Sequence, residues 1–109
     1  MFILPEMQKY YRTYASVDLS AIENNINELK KKLNKGVLTL ATVKADAYGH
    51  GAVGVAVHIQ NMVDYFGIAE LGEAVELREA GVEKPILVLS YTSPYQYETL
   101  IQNEYEYNF

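Results

Sequence analysis

Val37 to Ala45 reads VLTLATVKA, an almost continuously apolar and β-branched run that carries one charged residue, Lys44, at its carboxy-terminal end. Such a run fits a strand covered on both faces, as in parallel sheets. Counting by two places Leu38, Leu40, Thr42 and Lys44 on one face and Thr39, Ala41, Val43 and Ala45 on the other. Burial of a lysine is costly, and desolvation lowers the pKa of its amine, which then attacks an aldehyde readily to form a Schiff base. A lysine at a strand end can also run its apolar stem along the surface and keep its ammonium in water. The residues that follow, Tyr48, Gly49, His50 and Gly51, form a loop whose glycines permit a tight turn. Backbone amides of such a turn can approach an anion, and the dipole of the next helix favours a phosphate there. The same GHG can equally be an ordinary connection.

The rest of the composition narrows the chemistry. Of 109 residues, 50% are hydrophobic and 21% charged, the balance of a globular chain able to bury a modest core. There is no cysteine, and two histidines, His50 and His58, do not make a zinc site, so no metal is expected. A formal charge of -5 argues against nucleic acid as a partner, which calls for lysine and arginine clustered on one face. The leading MFIL before Pro5 and Glu6 is too short for a secretory signal core or a membrane span, so no membrane role and a cytoplasmic location are expected.

The elements that must position Lys44 alternate in type. Tyr14 to Asp18 is β-prone, and Ser20 followed by Glu23 has capping-box spacing for a helix carrying Leu19, Ile22, Ile26, Leu29 and Leu33 on one face. Lys30, Lys31, Lys32 and Lys35 then oppose the negative end of the helix dipole, and Gly36 is a natural stop. After the strand with Lys44, a helix is expected over Ala52 to Val63 and a strand over Tyr65 to Ala69. Leu71 to Ala80 reads as a helix with Leu71, Ala74, Val75 and Arg78 on one face, ended by Gly81. Pro85 opens the strand ILVLS, and Ser93 with Pro94 is an N-cap and first-turn pair for a helix carrying Tyr97, Leu100 and Ile101. Tyr105 to Phe109 alternates like one more strand.

Strand and helix in alternation call for parallel strands joined by right-handed helical crossovers, an α/β fold. A complete (β/α)8 TIM-type barrel needs about 250 residues and eight strands. The chain is therefore expected to form a partial barrel that ends before closure, a fragment with an unpaired edge strand. Barrel enzymes keep their active sites at the carboxy-terminal ends of the strands, where Lys44 falls.

VKADAYGHG is similar to VKANAYGHG, the signature around the cofactor lysine of the alanine racemase family, and ASVDLSAIENN resembles that family's AEVDLxAIxxN. The likeness continues through FGIAELGEAVELREAGVEKPILVLSYTSP, from about Arg12 onward, with Asp46 in place of asparagine. The resemblance implies that residues 1–109 are the amino-terminal portion of a barrel domain binding pyridoxal 5'-phosphate, in an enzyme interconverting L-alanine and D-alanine for peptidoglycan synthesis. It makes Lys44 the cofactor lysine and the base on one face of the substrate, Tyr48 a phosphate contact, and Thr42 and Leu89 lining residues at strand ends. For Leu89, plain core packing is the competing reading. The resemblance further implies a homodimer at full length, with a second acid/base supplied by a tyrosine in a carboxy-terminal domain of the partner subunit. None of the ten tyrosines here matches it, so the isolated chain is expected to be inactive. Serine or dual alanine/serine racemases of the same family, and a non-catalytic pyridoxal-phosphate carrier, are the alternatives, and the YGHG tail favours the racemase.

Overall fold

The computed structural model describes residues 10–103 and 105–107, the last two by their backbone. The leading MFIL stretch and the final Asn108 and Phe109 lie outside the described residues. The elements run α1 (Leu19–Lys31), β1 (Leu40–Thr42), α2 (Lys44–Tyr48), α3 (Ala52–Ile59, continued by a 3-10 turn at Gln60–Met62), β2 (Tyr65–Ile68), α4 (Leu71–Glu79), β3 (Ile86–Val88), a 3-10 turn (Pro94–Gln96) leading into α5 (Tyr97–Gln102), and β4 (Glu106–Tyr107). The four strands form one sheet in sequence order, and every pair is parallel. Parallel strands joined by helices are what the alternation requires, and their sequential order makes this an unclosed, barrel-like (β/α) sheet.

The register explains the burial. Ala41, Phe66 and Ile86 are neighbours on one face, as are Ile68 and Val88. These positions meet Val55, Ala56 and Ile59 of α3, Ala74 and Leu77 of α4 and Leu100 of α5 in a single core. Phe66, Ile68, Leu77, Ile86, Val88 and Leu100 are completely buried there. The opposite face presents Thr42, Gly67 and Leu87 in register, with Leu40 beside Tyr65. Among the described residues no helix covers that face, and Leu40, Thr42 and Leu87 stay exposed or half-buried. In a closed barrel it is the interior.

Several local expectations change. Tyr14 to Asp18 forms no strand; Asp18 instead caps α1, its carboxylate accepting from the Ala21 amide at 3.0 Å, and Ser20 lies inside the helix rather than opening it. A short acceptor one residue before the apolar stripe competes better for the free amides than one already within it. The strand expected over residues 37–45 shrinks to Leu40–Thr42, with Val37 and Leu38 exposed. β1 is the sheet's edge strand and its inner face is open, so continuous apolarity there does not mean burial on both sides. Pro94 follows an N-cap as expected: the Ser93 hydroxyl accepts from the Tyr95 amide and Gln96 Oε1 accepts from the Ser93 amide. Leu100 alone of that helix is fully buried, while Tyr97 and Ile101 face outward.

Candidate functional site at the carboxy-terminal ends of the strands

The first βα connection departs from the sequence reading at Lys44 itself. The ladder persists to Val43, whose amide donates to the Gly67 carbonyl at 2.9 Å. Lys44 then becomes the first residue of α2 instead of a strand residue. The site remains at the sheet's carboxy-terminal edge, but its backbone is a turn. From Ala45 to Tyr48 the φ angles lie between 50° and 55°, so the turn is left-handed, built from four successive residues none of which is glycine. Each non-glycine residue held in this way costs about 1–2 kcal/mol through the clash of Cβ with a carbonyl oxygen. No sequence periodicity announces such a turn.

Internal bonds close it. Ala47 N donates to Val43 O at 2.9 Å, Gly49 N to Ala45 O and Asp46 O, His50 N to Ala47 O, and Gly51 N to Asp46 O. Gly49 and Gly51, at φ 90° and 89°, take conformations open to glycine. Asp46 Oδ1 accepts from Ala52 N at 2.8 Å and so caps α3. The amides of Gly49, His50 and Gly51 are therefore engaged within the connection, and the first amide of α3 already faces a carboxylate. This corrects the expectation that these amides are displayed toward an anion. An amide carbonyl would accept the Ala52 hydrogen as an aspartate does, which explains why Asp46 stands comfortably where the family signature has asparagine.

Around this turn the remaining candidates fall as follows. Lys44 is half-buried, and its amine has no hydrogen-bond or ion-pair partner among the described residues. Thr42, half-buried, ends β1 opposite Gly67. Leu89 lies one residue beyond β3, its amide donating to Ile68 O at 2.7 Å. Its side chain is half-buried on the open face: a Cβ added at Gly67 would meet Leu40 Cδ2 at 2.8 Å and Leu89 Cδ1 at 3.1 Å. Gly67 thus lets Leu40 and Leu89 close over the strand as an apolar floor, so Leu89 lies on the open face and not in the helix-side core. Tyr48 is exposed at the outer end of the left-handed turn. The other described lysines lie elsewhere: Lys30, Lys31, Lys32 and Lys35 at and beyond the end of α1, and Lys84 in the connection leading into β3. No grouping of three or more metal-binding side chains occurs among the described residues, and no described helix is long and apolar enough to cross a membrane.

The model of the alanine racemase N-terminal domain matches residues 17–107. This chain belongs to the alanine racemase family. Its relatives include alanine racemase 1 of Caldanaerobacter subterraneus subsp. tengcongensis, 45% identical over 93 residues that cover 84% of this chain and 24% of that protein. Among solved structures, alanine racemase of Clostridium difficile 630 superposes with a TM-score of 0.85 at 38% identity, covering 89% of this chain and 27% of that one. Alanine racemase of Bacillus anthracis with bound L-Ala-P superposes with a TM-score of 0.81 at 34% identity, covering 91% and 27% respectively. The chain spans about a quarter of the length of the racemases it matches.

One residue of this region escapes sequence reasoning. Glu73, in the first turn of α4, accepts from the amides of Ala69 and Glu70 through Oε1 and from the amide of Ala45 through Oε2, each at 2.8 Å. A glutamate in the first turn of a predicted helix signals capping, but its reach into the preceding βα unit depends on where the sheet places Ala45.

Proposed function

We propose that Lys44 holds pyridoxal 5'-phosphate in an enzyme that interconverts L-alanine and D-alanine for peptidoglycan synthesis. Residues 1–109 would form the amino-terminal portion of its barrel domain. The observation that carries this is position: among the described residues Lys44 is the one lysine at the carboxy-terminal ends of the strands, and it lies within VKADAYGHG. The residue types around it fit the group, with an amine that has no partner among the described residues, the Thr42 hydroxyl, a floor of Leu40 and Leu89, and the exposed Tyr48.

In this reading Lys44 binds the cofactor covalently through Nζ, Tyr48 donates to its phosphate, and Thr42 and Leu89 line its pocket. The Tyr48 hydroxyl carries the phosphate contact from this loop because the Gly49, His50, Gly51 and Ala52 amides are already engaged. Bound pyridoxal phosphate supplies a carbonyl that condenses with amines and a ring that draws electrons from the substrate α-carbon. Lys44 Nζ would also be the base that takes up the α-proton on one face of the amino acid. Proton return on the other face needs a second acid/base. The proposal assigns that group to the partner subunit of a cytoplasmic homodimer, so the 109-residue chain by itself is not expected to racemise alanine.

Incubation with pyridoxal phosphate, borohydride reduction and peptide mapping test the assignment. The label is expected at Lys44 and lost from that peptide in Lys44→Ala. Labelling spread over Lys30, Lys31 and Lys32, with Lys44 no more reactive than they are, would overturn it.

A further inference from the structure

The left-handed turn raises a physical question that the cofactor assignment leaves open. Ala45, Asp46, Ala47 and Tyr48 all sit at positive φ without glycine's freedom. Strained backbone of this kind persists only where its surroundings over-determine it. Part of the constraint is internal, through the bonds that Ala47, Gly49 and Gly51 make within the connection. A further constraint comes from the next βα unit, where the Glu73 carboxylate reaches the turn.

We infer that Glu73 is a positioning residue for Lys44, its carboxylate clamping the peptide that follows Lys44 to the start of α4. Both oxygens are used. Oε1 accepts from the Ala69 and Glu70 amides, the capping role expected of a glutamate in the first helical turn. Oε2 is then left to accept from Ala45 N at 2.8 Å, across 28 residues of sequence. The Ala45 amide belongs to the peptide unit that begins at the Lys44 carbonyl, so fixing it fixes the backbone from which the Lys44 side chain departs. Bonds from backbone amides to a carboxylate are among the stronger ones. The inference rests on the reading of Lys44 as the reactive amine, yet the clamp is measurable without any cofactor.

Glu73→Gln separates capping from clamping, because one amide oxygen can still accept from Ala69 and Glu70 while the amide nitrogen opposes the Ala45 N–H. In this variant the Ala45 amide is expected to exchange with solvent about tenfold faster or more, the loss of a hydrogen bond to a charged acceptor. Ala69 and Glu70 should keep their protection, and the Cα chemical shifts of residues 45–48 should move away from left-handed values. Glu76→Gln, an exposed carboxylate on the same helix, should change none of these. With pyridoxal phosphate and borohydride, the ratio of label at Lys44 to label at Lys84 should fall in Glu73→Gln and hold in Glu76→Gln. Scalar coupling from the Ala45 nitrogen to the Glu73 carboxyl carbon, measured on the unaltered chain, tests the clamp even if a variant fails to fold. Absence of that coupling, or Ala45 exchange and a labelling ratio unmoved by Glu73→Gln, would overturn the inference. Absence of label at Lys44 in the unaltered chain would overturn the cofactor assignment instead, and the exchange and coupling data would still decide the clamp.

Discussion

Replacing Asp46 by alanine removes two supports at one position, and the size of the effect follows from the geometry. Asp46 Oδ1 accepts the Ala52 amide at 2.8 Å, the bond that caps α3. Losing a side-chain cap costs about 0.5–2 kcal/mol, typically ~1. Asp46 also sits at φ 54°, where aspartate and asparagine are tolerated better than alanine because their short polar side chains bond locally. Together Asp46→Ala should destabilise the chain by about 1–2 kcal/mol, and each kcal/mol corresponds to a Tm decrease of about 4–8 °C for a domain of roughly this size. Asp46→Asn keeps both an acceptor oxygen and tolerance of the left-handed region, so it should stay within about 0.5 kcal/mol of the parent. Urea unfolding followed by circular dichroism, with the three proteins compared at one pH, measures the difference. If Asp46→Ala matched the parent, or if Asp46→Asn were as costly as alanine, the capping bond and the left-handed strain would not be what the residue supports.

Two further outcomes test the frame that carries the site. Asp64 holds β1 to β2 from the other end of the sheet: its Oδ2 accepts from Thr39 N at 2.7 Å and from the Thr39 hydroxyl at 3.2 Å. The Thr39 backbone bond, helped by the Thr39 hydroxyl, Lys84 and Lys30, outweighs desolvation and holds its pKa below the ordinary 3.8. A depressed carboxylate pKa gives stability that is fully present above the unfolded value and is lost as pH falls through the folded one. Acid titration of unfolding should therefore show a loss of stability below 3.8 that Asp64→Asn reduces, and an identical acid limb in both proteins would refute it. In the helix-side core, Leu77 is completely buried, so Leu77→Ala should cost about 2–5 kcal/mol in denaturant unfolding; a cost under 1 kcal/mol would place the core elsewhere.

The helix-side core was legible because it is written in periodicity. Phe66 and Ile68, or Ile86 and Val88, repeat every second residue and meet helices with their own apolar faces, so pattern alone places them together. Leu77 is the exception, because the expected face of α4 ran through Arg78, which instead donates to the carbonyls of Val82 and Lys84 where the chain turns toward β3. Apolarity could not reveal that Val37 and Leu38 lie exposed ahead of β1, because the composition of a run does not say where within it the strand begins.

By itself, the sequence determined the alternation of elements, the parallel sheet, the family, and Lys44 as the candidate amine, since each is carried by residue type and spacing within a short window. Only the tertiary structure decided that Lys44 opens a left-handed turn, that the Gly49, His50 and Gly51 amides are spent within the connection, that Asp46 caps α3, and that Glu73 reaches Ala45. The physical reason is that none of these features is carried by periodicity or composition. Positive φ in non-glycine residues is opposed by local sterics and persists only where bonds hold it, here those within residues 43–52 together with the one from Ala45 to Glu73, which forms only when the first two βα units lie side by side.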